Sequence, residues 1–425
     1  MPPPSADEQE RRRREALAKQ ERHRREEGLA KIAISLPGLA ALAAVVISIF
    51  SFRATNQATD KQLQITEKGQ ITDRYSAAIS DLASRSLDIR LGGIYALQSL
   101  MPDSPAEQPT IVAVLCAYVR NQSAPKPAHP APSAHSVRTD IQAALTVVGT
   151  RNAADDGHTT FIDLNHALIR GAQLEYLRLK GADLSGADLS GADVNSAYLG
   201  GANLSGADLA RASLAGTHLA SADLAGANLK KTRLTGTDLT HTDLSDANLT
   251  DAVLNDASLS GASFPGANLT GAVFSGEDLR GVSFATANLT SADVSGSTLT
   301  HAYLVAAELK DANLVGTILN GADLTDADLS SADIRYAHLE GATLTDADLH
   351  AAVLYSADLT GANLSDANLS DANFYAAALT AGKDKHLDVN LTGADLTGAY
   401  WHLGVPLPAG WQRNPGSGRL ERARH

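Results

Sequence analysis

The chain has few residues of the kinds that build disulfides, metal centres or aromatic cores. Its 425 residues include a single cysteine, Cys116, so a disulfide within the chain is impossible, and aromatic residues make up only 4%. No Cys or His pair has the spacing of a metal site, and no compact loop supplies the oxygen ligands of a calcium site. A nucleophile elbow and a glycine-rich phosphate loop are also missing. We therefore predict that the protein is not an enzyme and holds no cofactor or metal.

A five-residue repeat dominates the second half of the sequence. An aliphatic residue or Phe recurs at every fifth position from Leu164 to Leu379, which gives 44 repeats, and 36 of them have Leu at this central position. The position two residues before the centre is Ala in 34 repeats, as in GADLS. A period of five fits neither an α-helix nor a straight strand, so the chain must turn a corner in every repeat. Repetition on this scale predicts a solenoid whose coils cover one another.

The pattern A-D/N-L-x-x, over residues 159–401, resembles the pentapeptide-repeat family. The resemblance implies a mainly β fold, a right-handed quadrilateral β-helix with four repeats in each coil of 20 residues. The 44 repeats would then form about 11 coils, and a rod of about 50 Å if coils are spaced like neighbouring strands. It also implies that the central residue and the residue two before it point inward, whereas the Asp or Asn between them faces outward.

Departures from Ala at the inward position mark irregular places in the predicted wall. We expect the hydroxyls of Thr232, Thr237 and Thr242 to bond to neighbouring backbone. Glu277 also takes an inward position, and a lone buried carboxylate is costly. We therefore expect a local bulge, helped by Gly276 and Pro265, that turns Glu277 to solvent. The alternative is a specific site at Glu277.

The chain before the repeats predicts a membrane anchor. Residues 1–31 form a charged segment that is predicted to be helical, and residues 32–52 contain no charged residue. A helix of 21 residues is long enough to cross the bilayer; a cleaved signal peptide is the alternative. Nine Lys and Arg precede the span and few closely follow it. The positive-inside rule then places the N-terminus in the cytoplasm of a bacterial cell and the repeats outside the cell membrane.

Several further segments flank the repeats. Residues 53–122 predict a small helical module. Its segments DIRLGGIYALQSL and PTIVAVLCAYVRN resemble the membrane-proximal region of bacterial, especially actinobacterial, membrane proteins with pentapeptide repeats. Residues 123–136 predict a Pro-rich linker, and residues 137–158 a capping helix and lead-in. The repeat frame slips after Leu379 and resumes at Leu391. Residues 402–425 predict a C-terminal cap and a basic tail, with Trp401 and Trp411 covering the last coil.

The repeat region is strongly acidic. Residues 160–400 contain 30 Asp and Glu against 12 Lys and Arg, a net charge of −18. The resemblance implies one candidate function, in which an acidic rod in the cytoplasm imitates DNA and occupies a topoisomerase. The charge amounts to one per ~3 Å, against one per ~1.7 Å in duplex DNA, and a basic patch at Lys230, Lys231 and Arg233 interrupts it. The negative field also disfavours direct binding of nucleic acid.

These observations favour a membrane-anchored scaffold that binds a protein or a cell-envelope partner, with the DNA mimic as the alternative. Tyr355 and Tyr375 lie 20 residues apart at outward positions, with Arg335 and Tyr336 one coil earlier. Exposed aromatic residues beside Arg are typical of protein interfaces, so these four residues are the candidate contact. The alternative is a stacked ladder of tyrosines that stiffens the sheet. The sequence specifies neither the partner nor the oligomeric state.

Overall fold

The computed structural model describes residues 10–11, 13–25, 66, 68–123, 137–157, 160–379, 389–401 and 406–423. The chain divides into two compact units, Met1–Arg74 and Tyr75–His425. In the first unit, residues 13–25 are helical, and Arg14 forms an ion pair with Glu10 one turn away at 3.3 Å. None of the helices in the described ranges is long and apolar enough to cross a membrane. The span predicted at residues 32–52 lies outside those ranges.

A helical module precedes the repeats. It consists of α1 (residues 68–82), α2 (Leu87–Asp103), α3 (Gln108–Ser123) and α4 (Thr139–Thr150). Short 3-10 turns lie at Pro105–Glu107 and Ala153–Asp155. Gly93 brings α2 close to α1, because a Cβ at this position would lie 2.7 Å from the carbonyl oxygen of Ala78. The thiol of Cys116 is buried in the core of the module, and burial raises its pKa to about 12.

A buried ion cluster holds the helices of the module together. The carboxylate of Asp140 is fully buried and accepts hydrogen bonds from Arg90 at 2.7 Å, Arg138 at 2.6 Å and the hydroxyl of Tyr118 at 2.6 Å. Burial alone would raise the pKa of Asp140, but the bonds from Tyr118 and Arg90 and the charge of Arg138 outweigh it and lower that pKa. The cluster links the starts of α2 and α4 to α3, and its two guanidinium groups share one carboxylate.

The repeats form a β-helix with 20 residues in each coil. Parallel bridges join residues 20 apart, from the pair Asp163 and Asp183 to the pair Asp358 and Ala378, and each repeat contributes one side. The N–H of a central residue donates to the next coil, as Leu229 does to Asn248 at 2.7 Å. These bonds repeat on all four sides, and they confirm the predicted coil length.

A tight turn forms each corner of the coil. The N–H of the inward residue donates to the carbonyl of the preceding central residue, as Ala167 does to Leu164 at 3.1 Å. The second residue after each centre has a positive φ, for example 69° at Gly261 and 58° at Asp371. Gly adopts this conformation without steric cost, and Asp, Asn and Ser tolerate it better than branched residues. This requirement explains why Gly recurs immediately before Ala in the repeat.

The interior of the β-helix is a column of aliphatic side chains. The central Leu residues and the inward Ala residues are buried throughout the repeats, as the resemblance implied. Phe264, Phe274 and Phe284 stack along the axis, with the ring centroids of the first two 5.1 Å and 6.1 Å from the ring of Phe284. A core built from stacked rungs has little freedom to close around a hole, so each buried Leu contributes strongly to stability.

Polar residues at inward positions find partners in the preceding coil. The hydroxyls of Thr232, Thr237 and Thr242 donate to backbone carbonyls 23 residues earlier, at 2.8 to 3.1 Å, which confirms the expectation from sequence. The expected bulge at Glu277 is wrong. This side chain is only 8% exposed and stays in the wall, because its carboxylate accepts a hydrogen bond from the backbone N–H of Asp256.

The helical module closes the N-terminal end of the β-helix. The N–H groups of Leu168, Gln173 and Arg178 in the first coil have no earlier coil to bond, and they donate to Ser123 Oγ, Gln142 Oε1 and the carbonyl of Gly149. The amide of Gln142 also donates to the carbonyl of Gln173 at 2.7 Å, so it pairs with this edge as a strand would. Three of the four sides are therefore capped by hydrogen bonds, which avoids an unpaired β edge.

The chain after the repeats closes the C-terminal end of the β-helix. The coil resumes with a register of 27 residues, in which Asn390 pairs with Asn363, and β1 (Asn373–Phe374) pairs in parallel with β2 (Tyr400–Trp401). Trp401 packs its ring against Phe374 at 5.3 Å. An antiparallel hairpin, β3 (Trp411–Arg413) and β4 (Leu420–Arg422), comes next. Its buried Leu420 exchanges backbone hydrogen bonds with residues 398 and 399, and thereby continues the ladder past the last repeat.

We predict that Leu229→Ala lowers the free energy of unfolding by about 2–5 kcal/mol, because it leaves a cavity in a stacked core. The matched control is Ser205→Ala, at a partly exposed outward position, for which we expect a loss below about 1 kcal/mol. Urea unfolding monitored by circular dichroism measures both. Equal losses would contradict the assignment of inward and outward positions.

We predict that Asp140→Asn destabilises the helical module at pH 7 and not at low pH. The pKa of Asp140 is lowered in the folded state, so its contribution is present above the unfolded pKa of about 3.9 and is lost as the pH falls through the folded value. Urea unfolding of both proteins from pH 7 to pH 3 tests this. The difference between them should shrink as the pH falls, and a constant difference would contradict the role of the charge.

Candidate interaction surface

The four residues singled out from the sequence form one cluster at a corner of the β-helix. We call Arg335, Tyr336, Tyr355 and Tyr375 the tyrosine cluster. Tyr355 and Tyr375 stack with ring centroids 5.6 Å apart and planes 8° apart, and Tyr336 meets Tyr355 edge to face, also at 5.6 Å. The coil spacing explains this contact, because Tyr355 and Tyr375 each come directly after a central residue, one coil apart. The two rings are therefore stacked, as the alternative of a tyrosine ladder predicts.

The stacked rings still leave aromatic surface open to solvent. Tyr336 is 53% exposed and Tyr375 is 56% exposed, whereas Tyr355 is half-buried between them. Tyr336 has a φ of 59°, a conformation that is uncommon for a bulky residue and that turns its ring toward the neighbouring coil. A rigid aromatic surface of this kind gains contact area at a low cost in side-chain entropy. The cluster can thus serve both as a ladder and as a contact.

Arg335 is fixed beside the rings. Its guanidinium forms two hydrogen bonds with the carboxylate of Asp333, at 2.7 Å and 2.5 Å, and both side chains remain partly exposed. An exposed ion pair contributes little to stability. It does hold the planar guanidinium in one orientation, where its remaining N–H groups can reach a carboxylate or carbonyl on another molecule. The pair makes the cluster amphipathic, with rings on one side and a bidentate ion pair on the other.

The coils around the tyrosine cluster carry most of the negative charge. Residues 277–379 contain 15 Asp and Glu and three Lys and Arg, a net charge of −12. Residues 160–256 contain 12 Asp and Glu and seven Lys and Arg, a net charge of −5. The outward position of one side is Asp, Asn or Glu in every coil from Asp188 to Asp395. Several of its amides bond along the column, as Asn228 does to Asp208 and Asn368 does to Asp348, both at 2.9 Å.

The acidic residues do not assemble into a metal centre where the structure describes them. No group of three or more His, Cys, Asp or Glu lies close enough to hold a metal ion in those ranges. Many of the outward carboxylates instead accept a hydrogen bond from the backbone N–H two residues later, as Asp183 does from Ser185 at 3.0 Å. They stabilise the turns of the coil. This structural role is typical of Asp and Asn, whose side chains bond to nearby backbone.

The sequence reasoning missed a second aromatic contact. Tyr198 and His218 stack with ring centroids 4.9 Å apart and planes 12° apart. The two residues are 20 positions apart, so the coil period that brought Tyr355 and Tyr375 together would also have identified this pair. Tyr198 is 46% exposed. The pair lies in the less acidic coils, so the tyrosine cluster remains the stronger candidate.

Solved structures of several proteins resemble this chain. HetL, a pentapeptide repeat protein involved in heterocyst differentiation regulation from the cyanobacterium Nostoc sp. strain PCC 7120, is 33% identical over 54% of this chain and 89% of its own, with a TM-score of 0.23. The protein alr5209 from Nostoc PCC 7120 is 41% identical over 23% and 82%, with a TM-score of 0.18. QnrB1, a plasmid-mediated fluoroquinolone resistance protein, is 17% identical over 53% and 89%, with a TM-score of 0.20. No curated protein sequence matches the chain.

The sequence pattern of one protein family, described as pentapeptide repeats, matches more than half of the chain. The matched segments are residues 162–201, 202–240, 237–276, 267–304, 307–346 and 347–381. They coincide with the coils of the β-helix, and repeats of this kind imply a right-handed coil. The chain belongs to the pentapeptide-repeat family.

Proposed function

We propose that the protein is a non-enzymatic scaffold, anchored in a bacterial cell membrane, that presents an acidic β-helix to a protein or cell-envelope partner. The observation that carries this proposal is the position of the tyrosine cluster within the most acidic coils. Aromatic side chains beside Arg are enriched in interface centres. A surrounding negative field favours a partner whose surface is rich in Lys and Arg and speeds its association.

The anchor in this proposal is the uncharged segment of residues 32–52. Its length suits a single membrane span, and the nine Lys and Arg before it favour a cytoplasmic N-terminus. The helical module, the linker and the β-helix would then lie outside the cytoplasm. In that arrangement the acidic coils lie farther along the chain from the anchor than the capped first coils do.

The acidic coils also support a second candidate function, imitation of DNA by a cytoplasmic β-helix that regulates a topoisomerase. The net charge of −12 on residues 277–379 is spread over about five coils, or ~25 Å at the spacing of neighbouring strands. This is one charge per ~2 Å, close to the ~1.7 Å of duplex DNA. The two candidates differ in the compartment of the β-helix, so membrane topology separates them.

We predict that the β-helix is labelled from outside intact cells. The variant for this test carries Cys116→Ala, which removes the buried thiol, and Ser221→Cys at an exposed turn. A membrane-impermeant thiol reagent should modify it in intact cells, whereas Cys116→Ala alone should stay unlabelled. Ser5→Cys in the same background, before the span, should react only after lysis. Labelling of Ser221→Cys only after lysis would contradict the orientation and leave DNA imitation as the function to test.

We predict that Tyr355→Ser combined with Tyr375→Ser weakens binding of the partner at least about fivefold, which corresponds to about 1 kcal/mol at an interface centre. Crosslinking and affinity capture from the native membrane identify the partner, and titration with the purified partner measures the change. Tyr303→Ser is the matched control, because Tyr303 is 56% exposed on a different side. Unchanged binding by the double variant would contradict the contact, and a lowered melting temperature with unchanged binding would show that the tyrosine cluster only stiffens the sheet.

A further inference from the structure

Glu277 is the one acidic residue among the 44 inward positions of the repeats, and it disturbs the coil around it. In a regular coil the ladder on this side is continuous. One coil earlier, Leu239 donates its N–H to Ser258, His241 to Ser260 and Ser258 to Thr237, all at 2.9 Å. The equivalent N–H groups around Glu277 make no backbone hydrogen bond within the described segments 256–261 and 275–280; they belong to Leu259, Gly261 and Asp278.

The carboxylate of Glu277 occupies the space between the two coils. Its Oε1 accepts the N–H of Asp256, which in a regular coil would donate to the carbonyl of residue 275. The side-chain oxygen of the adjacent Asn255 is buried without a partner. The same inward position holds Ala257 one coil earlier and Ser297 one coil later, so the longer Glu side chain separates the coils along this side. We call the gap between segments 256–261 and 275–280 the Glu277 junction.

The next coil is adapted to the Glu277 junction. The turn that should close from Glu277 to Phe274 is open, and the hydroxyl of Ser297 bridges it. The N–H of Glu277 donates to Ser297 Oγ at 3.0 Å, and Ser297 Oγ donates to the carbonyl of Phe274 at 2.9 Å. Ser297 lies 20 residues after Glu277 and is fully buried. Glu277 and Ser297, which both replace Ala at the inward position, are therefore coupled through these hydrogen bonds.

The charges around Glu277 do not neutralise it. Asp256 faces it from the preceding coil, and Asp278 in its own coil is paired with Arg280 at 2.5 Å. Residues 294–300 of the following coil contain no charged side chain. Burial raises the pKa of Glu277, and the negative charge of Asp256 raises it further, although the hydrogen bond from the Asp256 backbone opposes both. The junction is held open by a side chain that lacks a cationic partner.

The other three sides remain paired across the same two coils. Leu254 donates to Val273 at 2.8 Å, Phe264 to Ser283 at 2.8 Å and Leu269 to Asn288 at 2.6 Å. We propose that the Glu277 junction is a hinge, at which the β-helix opens on one side and the acidic coils with the tyrosine cluster can bend relative to the first coils. The opening is confined to one side because the other ladders and the Phe stack hold the coils together.

Hydrogen exchange of the purified full chain tests the hinge. The amides of Leu259, Gly261 and Asp278 should exchange at least about tenfold faster than their counterparts in the preceding coil, because exchange reports local opening. Glu277→Ala should restore the regular ladder and protect these amides to the level of the preceding coil. Glu340→Ala, which removes an exposed carboxylate elsewhere, should leave their exchange unchanged. Equal exchange in the wild type, or fast exchange that persists in Glu277→Ala, would overturn the proposal.

A double-mutant cycle tests the role of Ser297 without depending on exchange rates. In the wild type, Ser297→Ala should lower the melting temperature, because the opened turn loses its bridge. In the Glu277→Ala background the same substitution should cause a smaller loss or none, since Ala is the residue that the regular wall accepts at this position. Equal losses in both backgrounds would show that Ser297 and Glu277 act independently, and the hinge would be rejected.

Discussion

The backbone ladder between coils is the interaction on which the rest of the structure depends. Each side of a coil must place its N–H and C=O groups opposite those of the next coil, and small inward side chains at the corners favour this arrangement. Ala at these corners lets the coils approach, and Leu at the centres fills the axis. A hydroxyl is tolerated at a corner because it can donate to a carbonyl of the coil before it, as Thr232 does to Leu209. A carboxylate can only accept, so Glu277 must displace a carbonyl from the ladder.

The ladder leaves backbone N–H and C=O groups without a neighbouring coil at both ends of the β-helix, and the two ends are capped in different ways. At the start, side-chain and backbone oxygens of helices take the place of a missing coil, and Gln142 even supplies both halves of a strand-like pair. Gly149 allows α4 to approach the first coil closely enough to accept the N–H of Arg178, because any Cβ there would overlap Leu177 at 2.6 Å. At the finish, the chain itself returns as a hairpin, and Leu420 continues the core. Both solutions protect edges that would otherwise pair with other chains.

Periodicity made the regular part of the β-helix predictable, whereas long-range and irregular contacts were missed. The period of five predicted the coil, the inward frame and the meeting of Tyr355 with Tyr375, since residues 20 apart must stack. It could not predict the pairing of Gln142 with Gln173, because nothing local links a helix residue to one strand edge 31 positions away. The bulge expected at Glu277 was wrong because the side chain does not turn to solvent and is only 8% exposed. In the structure the side chain stays buried and the ladder opens, with Ser297, at the same position one coil later, as a partner of the open turn.

The distribution of charge gives the irregular coil a functional meaning. The coils before Glu277 carry a net charge of −5 and those from Glu277 onward −12, and the residues between 256 and 277 carry no charge. The open side therefore lies where the electrostatic character of the surface changes. Mutual repulsion among the acidic coils opposes compact stacking, and a basic partner bound there would relieve it. A β-helix that is rigid except at this boundary can present its aromatic corner in more than one orientation while the capped first coils stay fixed. Binding and bending would then be coupled, because a partner that contacts both the first coils and the acidic coils prefers one angle between them.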